Sequence, residues 1–367
     1  MGILDRIESI ELEMERMQKN KATEHHRGML KAQLAKLRAE VIESQTKTKG
    51  GGSGFDVAKT GPATVAMIGF PSVGKSTFLS TVTETASACA SYEFTTLTCV
   101  PGVLEMHGAR IQVLDLPGII EGAASGKGRG RQVIATARTS DLILMMLSAA
   151  NADVERRKLI KELSEMGIRV NQQPPDVVIT PKSRGGIQIT STCQLTHIDE
   201  DDIKKIIGHE FKTHNAEVVI RQDITVDQLI DVLVGNRVYM PCLYVVNKID
   251  TLSFEALEHF ALEPRTVVTS IKDGINIEYV KEMIWRSLGL VRVYTKPRGE
   301  PPCLDAKAAM FFPKGSTVED VCKGIHKDFV SKFKGAKVWG RSVKFQPQNA
   351  GLSHVLADND VVQILLD

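Results

Sequence analysis

The chain opens with two stretches whose apolar residues recur at helical spacing. Ile3, Ile7, Ile10, Met14 and Met17 follow alternating four- and three-residue steps, and Leu30, Leu34, Leu37 and Val41 do the same, so each set lies on one helix face. The polar segment Asn20–Gly28 lies between them and reads as the bend of an antiparallel helical hairpin over 1–49. Lys49-Gly50-Gly51-Gly52-Ser53-Gly54 then leads into a flexible linker, 50–62. From residue 63 short apolar runs alternate with helical patterns. Thr64–Phe70, Ile111–Leu116, Asp141–Leu147, Cys242–Val246 and Thr266–Thr269 are nearly continuous in apolar residues, as in a parallel sheet covered on both faces.

The stretch from Gly118 to Asn247 is far longer than two strand–helix–strand passages require, roughly 60 to 70 residues. Residues 165–238 therefore read as an inserted α+β subdomain, with strand-like Ile187–Thr190 and Ala216–Ile220 and a helix over Asp201–Phe211. It separates the first part of the α/β domain, 63–164, from the second, 239–290. The remainder, 291–367, carries strand patterns at Lys307–Phe312, Ala336–Trp339, His354–Leu356 and Val361–Leu366. Its helix, Val318–Phe333, is opened by the capping-box pattern Ser316-Thr317-Val318-Glu319. A small mixed sheet on one helix, the size of a ubiquitin-like module, follows. There is no internal repeat.

Composition narrows the class. Lys and Arg number 46 against 44 Asp and Glu, for a net charge of +2, with 25% charged and 43% apolar residues. That excludes collagen, a disulfide-stapled miniature and disorder throughout. The apolar run Leu142–Leu147 stops at Ser148, well short of the ~20 residues of a membrane span. Asp5, Glu8, Glu11, Glu13 and Glu15 make the amino terminus unlike a targeting peptide, and Arg6 stands where a myristoylation signal needs Ser or Thr. Cys89, Cys99, Cys193, Cys242, Cys303 and Cys322 form no C-x-x-C pair, which points to reduced thiols in a cytoplasmic protein. Along the hairpin Arg16, Lys19, Lys21, Arg27, Lys31, Lys36 and Arg38 face only Glu24; this is a solvated helix face or an RNA-phosphate surface.

The chemistry is concentrated in four short motifs. Gly69-Phe70-Pro71-Ser72-Val73-Gly74-Lys75-Ser76 matches G-x-x-x-x-G-K-[ST] directly after an apolar strand and before a helix. Its glycines let successive N–H groups turn toward phosphate oxygens, and the helix start adds its dipole. Lys75 is placed to neutralise the β- and γ-phosphates and Ser76 to ligate Mg²⁺. Asp115-Leu116-Pro117-Gly118 ends a second strand, so Asp115 can reach the metal shell and the Gly118 N–H the γ-phosphate. Asn247-Lys248-Ile249-Asp250 ends a later strand. The Asp250 carboxylate can accept from guanine N1–H and the 2-amino group, a donor pair that adenine lacks. Thr269-Ser270-Ile271 supplies the loop over the base. Four such motifs in order, each at a strand's C-terminal end, indicate an α/β nucleotide fold that prefers GTP. Between the first two lies Tyr92-Glu93-Phe94-Thr95-Thr96-Leu97, where one threonine can close over Mg²⁺ and the γ-phosphate. Otherwise the two threonines are ordinary strand residues.

Two further features bear on turnover. Ile119 and Ile120 follow Gly118 where related enzymes carry a water-orienting glutamine, which predicts slow intrinsic hydrolysis. Backbone groups, a potassium ion or a partner would then hold the water. The position where potassium-stimulated relatives carry Asn is Ser72. Gly126-Lys127-Gly128-Arg129-Gly130-Arg131 alternates glycine with base; it is a solvated loop, a nucleotide-sensitive contact for RNA or protein, or a source of transition-state charge through Arg129 or Arg131.

The stretches GFPSVGKSTFLS, SYEFTTLTCVPGV, LDLPGIIEGA, GKGRGRQVIATART and GNRVYMPCLYVVNKID, with the opening MGILDRIESIE, closely resemble the developmentally regulated GTP-binding proteins, relatives of the Obg GTPases. The resemblance spans nearly the whole chain. It implies a GTPase domain interrupted by an S5D2-like insertion, with an N-terminal helical hairpin and a C-terminal TGS domain of β-grasp fold. It implies that Thr96, not Thr95, is the metal-closing residue, and it adds Thr77 and Phe94 to the nucleotide contacts. It also implies a cytoplasmic, ribosome- or polysome-associated role in translation with a family regulatory protein as partner; nothing points to DNA or to a membrane. Ser148, where the family usually has Asp, and Ser270-Ile271, in place of Ser-Ala, depart from the pattern. Lys323, Lys327, Lys332, Lys334, Lys337, Arg341, Lys344 and Trp339 form either an RNA-docking face of the last module or a solvated one. The two functional expectations are a slow Mg²⁺-dependent GTPase acting on ribosomes and a GTP-binding scaffold with negligible turnover. An ATPase is disfavoured by Asp250.

Overall fold

The computed structural model describes residues 2–18, 21–47, 61–83, 100–116 and 136–366. The chain divides into two compact bodies. One gathers the amino-terminal hairpin with residues 158–240; the other holds the nucleotide-type sheet and everything after residue 241.

In the first body the hairpin is α1 (Ile3–Arg16) and α2 (Lys21–Lys47). The bend comes earlier than the sequence suggested, because Asn20–Gly28 was read as the turn and the helix already starts at Lys21. Gly28 is interior to it, facing Val226, whose Cγ1 would lie 3.4 Å from a Cβ at that position. Ala32 is fully buried in the core of the insertion, with Ile203, Ile207, Val218 and Leu229. The basic run is neither wholly solvated nor wholly available. Lys31 pairs with Asp227 at 2.8 Å, Lys36 donates to the Glu210 carbonyl at 3.2 Å, and Arg38 pairs with Glu11 at 2.7 Å and Glu165 at 3.3 Å.

The insertion is a three-stranded sheet, β6 (Val177–Pro181), β8 (Ala216–Ile220) and β7 (Ile187–Ser191), in that order. The expected helix appears as Glu200–Lys205 continued by a π-helical turn, Ile206–Glu210. A helix over Val226–Val234, which we label α6, is capped by Thr225 with a reciprocal Gln228 contact. The strand after it, β9 (Val238–Met240), pairs in parallel with β5 (Ile168–Val170), which precedes the insertion's sheet. Strand β6 escaped the sequence reading because its end, Pro181, and its alternating exposure are those of an edge.

The second body is built on a six-stranded sheet: β11 (Thr266–Thr269), β10 (Cys242–Asn247), β4 (Leu142–Ser148), β1 (Thr64–Ile68), β3 (Ala109–Asp115) and β2 (Val100–Met106), in that order. All pairs but the last are parallel. β1 is buried along its whole length, as its unbroken apolar run requires. The unforeseen strand is β2, whose Pro101 and Gly102 read as loop; it sits at the sheet edge, where a missing donor is tolerated. A Cβ on Gly102 would strike Leu79 and Thr83.

The C-terminal module is a mixed sheet in the order β13 (Met310–Pro313), β12 (Leu290–Thr295), β16 (Asp360–Leu366), β14 (Phe333–Trp339), β15 (Gln348–Ala350). Three expectations need correction. The strand read over Lys307–Phe312 begins only at Met310, because Ala306–Ala308 form a 3₁₀ turn. The helix over Val318–Phe333 stops at Ile325, and after a four-residue turn, Asp328–Ser331, Phe333 already belongs to a strand. The apolar stripe of Val318, Val321 and Cys322 runs out at Ile325, which is exposed. His354–Leu356 is not a strand. The His354 carbonyl accepts from the Val318 N–H and the Leu356 N–H donates to the Ser316 carbonyl, so this backbone serves the helix start. The module joins the preceding helix, α8 (Ile277–Leu288), through Gly289 alone. Trp285 of that helix meets Phe311 edge-on at 6.0 Å.

Candidate functional site

The four motifs meet on one edge of the six-stranded sheet. Register pairs Met67 with Asp115, Ile68 with Met145, and Asn247 with both Ser148 and Thr269. The residues that follow these positions therefore leave the sheet side by side, where open α/β sheets bind ligands.

After β1 the chain turns through Gly69, Phe70, Pro71, Ser72, Val73 and Gly74 into a helix, Lys75–Val82. Ser72 and Gly74 both have positive φ, +63° and +100°, a backbone curl that aims N–H groups inward. Glycine is needed at 74 for space as well, since a Cβ would stand 2.5 Å from Asn247 Nδ2; at Gly69 it would strike the Met146 carbonyl. Val73 turns its side chain into the core, whereas Ser76 and Thr77 stay exposed on the first helical turn. Lys75 is nearly buried and donates to the Gly69 carbonyl at 2.9 Å and the Phe70 carbonyl at 3.0 Å. Burial pushes its ammonium below the usual lysine range, against the pull of Asp115 and Glu155.

Asp115 ends β3 with its carboxylate nearly buried. Ser76 Oγ donates to Asp115 Oδ2 at 2.9 Å. Burial raises the Asp115 pKa; the Ser76 bond and the Lys75 charge lower it. Leu116 is buried and donates its N–H to the Met67 carbonyl, anchoring the strand end. The hydroxyl and carboxylate are hard oxygen donors side by side, the set Mg²⁺ takes when phosphates complete its shell. Among the described residues no cluster of three or more acidic, His or Cys side chains could hold a metal alone.

The base side is a second hydrogen-bonded unit. Asn247, 4% exposed, donates from Nδ2 to the Val73 carbonyl at 2.8 Å and accepts at Oδ1 from the Ile271 N–H at 3.1 Å. One amide thus ties the phosphate turn to the base loop. Lys248 holds a left-handed conformation, which turns the chain so that Asp250 is exposed at the edge. Ser270, fully buried, donates its one hydroxyl proton to Asp273 Oδ2 at 2.6 Å, with Asp250 Oδ1 the alternative acceptor at 3.3 Å, and accepts from the Asp273 N–H at 3.4 Å. Ile271 packs in the core.

Thr95, Thr96, Phe94, Pro117 and Gly118 lie outside the described residues, as do Ile119, Ile120 and Gly126–Arg131. Sequence reasoning missed Asp273 and Glu155. Asp273 carried a weak signal, the Ser-x-x-Asp turn pattern. Glu155, whose Oε2 accepts from the Ser148 N–H at 2.9 Å, carried none beyond being an acid in a first helical turn.

A phosphate turn, a Ser–Asp oxygen pair and an Asn/Asp base edge at the ends of neighbouring parallel strands define a P-loop GTPase domain. Family models agree: that described as 50S ribosome-binding GTPase matches residues 64–181, that of the C-terminal region of the MMR_HSR1 domain matches 184–290, and that of the TGS domain matches 291–366. The chain belongs to the developmentally regulated GTP-binding protein family. It is 55% identical over 365 residues to Developmentally-regulated GTP-binding protein 2 of Homo sapiens and 53% identical over 365 residues to the Developmentally-regulated GTP-binding protein 2 homolog of Dictyostelium discoideum, with all of each chain covered. Among solved structures, the Schizosaccharomyces pombe YchF GTPase aligns at 15% identity and a TM-score of 0.42, covering 83% of this chain and 98% of that one. No described helix is long and apolar enough to cross a membrane.

Proposed function

We propose that this chain is a Mg²⁺-dependent GTPase with slow intrinsic turnover that works in the cytoplasm on ribosomes, as a translation factor or regulator. The observation carrying the guanine reading is the Asn247 clamp beside Asp250: one side chain holds the phosphate turn and the base loop together, next to an exposed carboxylate at the right edge. In this reading Gly69–Thr77 cradle the phosphates and Lys75 neutralises them. Ser76, Thr96 and Asp115 hold the metal, which supplies charge neutralisation on the phosphate oxygens. The Gly118 N–H meets the γ-phosphate, and Asn247, Lys248, Asp250, Ser270 and Ile271 hold the base. Competition between guanosine and adenosine triphosphates, with and without magnesium, tests it. Asp250→Asn should redirect affinity toward xanthosine nucleotides; unchanged guanine preference in that variant refutes the assignment.

The ribosomal part rests on the description carried by the matching GTPase family and on the basic face of the C-terminal module, where Lys296 also lies over the Trp339 ring at 5.8 Å. A family regulatory protein is the proposed second partner. Ile119 favours a second reading, a GTP-binding scaffold with negligible turnover, because its side chain cannot orient water. Single-turnover hydrolysis with and without ribosomes separates the two, and equal rates in potassium and sodium buffers would remove a cation's role. The division at 1–49, 50–62, 63–164, 165–238, 239–290 and 291–367 belongs to the same proposal.

A further inference from the structure

Between β14 and β15 the C-terminal module carries a loop, residues 340–347, whose backbone is pinned while several of its side chains are bare. Asp360, fully buried, accepts at Oδ1 from the Arg341 N–H at 2.8 Å and the Ser342 N–H at 3.4 Å. Ser342 Oγ meets His354 Nε2 at 2.9 Å, Val343 packs into the module's core, and the Lys344 N–H donates to Gln348 Oε1 at 3.0 Å. Arg341, Lys344 and Phe345 are nevertheless exposed, Phe345 by 72%.

A single bare apolar side chain is ordinary on a protein surface; the setting of this one is not. From Phe329 to Ala357 the chain carries Lys332, Lys334, Lys337, Arg341 and Lys344 and no carboxylate. The two carboxylates that follow are committed, Asp358 to Arg292 at 2.9 Å and Asp360 to backbone N–H groups, that of Ala357 included. Among the described residues Lys344 forms no ion pair. The Trp339 ring already has the Lys296 ammonium over it, whereas no described ring or cation lies over Phe345. A firmly held aromatic with bare faces, set among unspent cations, matches a ligand whose flat apolar faces are strung on anions. Unpaired nucleotides have that composition, and a duplex hides its base faces in its own stack. An acidic peptide would satisfy the cations without using the ring.

We infer that loop 340–347 binds single-stranded RNA, with one unpaired base stacked on Phe345 and neighbouring phosphates on Arg341 and Lys344. The choice of RNA rests on the ribosomal reading above, to which this adds that the bound stretch is unpaired. Because Asp360 and Val343 already hold the loop, little ordering is lost on binding.

The test uses the full chain saturated with GDP and magnesium. It is titrated by fluorescence anisotropy against a labelled RNA of about 12 nucleotides, in the usual single-strand site range. The RNA alternates adenine and cytosine and so cannot pair with itself; the comparison is the same strand annealed to its complement. The single strand should bind more tightly. Phe345→Ala should weaken it about tenfold, the loss of one stacked base, and leave the duplex and GDP affinities unchanged; Phe345→Trp should keep wild-type binding. A ring this exposed is truncated without touching the core, so the variant folds. Arg341→Gln with Lys344→Gln should weaken both RNAs and lower the salt slope by roughly one to two. Absence of saturable single-strand binding overturns the inference. So does unchanged affinity in Phe345→Ala, which would leave the ring to a protein partner. Sedimentation with ribosomes is scored in parallel. If it persists while the single strand does not bind, this inference fails and the ribosomal reading stands; if the strand binds through Phe345 and ribosomes do not, the reverse holds.

Discussion

Asn247→Ala is the sharpest perturbation of the nucleotide edge, because it removes the amide that joins its two halves. The Val73 carbonyl and the Ile271 N–H lose their partners at a position 4% exposed. Each buried polar group left unpaired costs about 1–3 kcal/mol, so the two together cost about 2–6 kcal/mol. The lower figure is the conservative bound. If the clamp must be formed for nucleotide to bind, about 2 kcal/mol is drawn from affinity, roughly 30-fold at 1.4 kcal/mol per decade. Asn247→Asp keeps the acceptor for Ile271 but turns a carboxylate oxygen toward the Val73 carbonyl, so it should bind no better than the alanine variant. Equilibrium titration with a fluorescent GDP reads the effect, and a melting curve checks the fold. A folded alanine variant within twofold of wild type would refute the clamp.

Asp273→Ala should weaken guanine nucleotides several-fold and leave the Mg²⁺ dependence unchanged, because Ser270 would lose its shorter bond and no longer be fixed beside Asp250; competition titration against inosine and guanosine diphosphates measures it. Asp231→Asn should destabilise the first body by about 3–5 kcal/mol, the usual result of stripping one partner from a buried ion pair, here with Arg169 and Arg237, and denaturant unfolding would show it. Asp358 is held below the ordinary carboxylate range, chiefly by its bond to Arg292. Its stabilising contribution is therefore full above the unfolded value, about 3.9, and lost as pH falls through the lower folded value. Asp358→Asn should flatten that acid limb of the melting temperature. Charge reversal at Lys332, Lys337 and Lys344 should reduce salt-dependent sedimentation with ribosomes, and unchanged sedimentation would count against the C-terminal face.

The central sheet was legible because strands buried on both faces leave an uninterrupted apolar record, and all five of those runs became strands with ends shifted by one or two residues. Edges were not. β2 and β6 carry Pro101, Gly102 and Pro181, residues that a propensity argument assigns to loops and that only an unpaired flank permits. The hairpin bend was misplaced because the polar segment Asn20–Gly28 interrupts the apolar stripe, although the helix already starts at Lys21. At the proposed site, the Gly69–Ser76 turn follows β1 and the Asn-Lys-Ile-Asp segment begins at the last residue of β10. Asp273 left only the weak Ser-x-x-Asp turn signal, because its meaning depends on Ser270 already standing beside Asp250. The basic run on the hairpin was ambiguous for a related cause: its partners Glu165, Glu210 and Asp227 are more than a hundred residues away in the chain.

Gly289 separates the last helix of the nucleotide domain from the first strand of the C-terminal sheet with no intervening tether. The Gly289 carbonyl accepts from the Lys314 N–H, and Phe311 rests on Trp285 of that same helix, while the helix packs against β4, β10 and β11. A load applied to the terminal module is thus delivered by a short stiff arm to the strand whose tip carries Ser270. On the proposed base assignment, whatever grips the outer sheet also leans on the loop at Ser270, which would make docking and nucleotide retention two readings of one mechanical linkage.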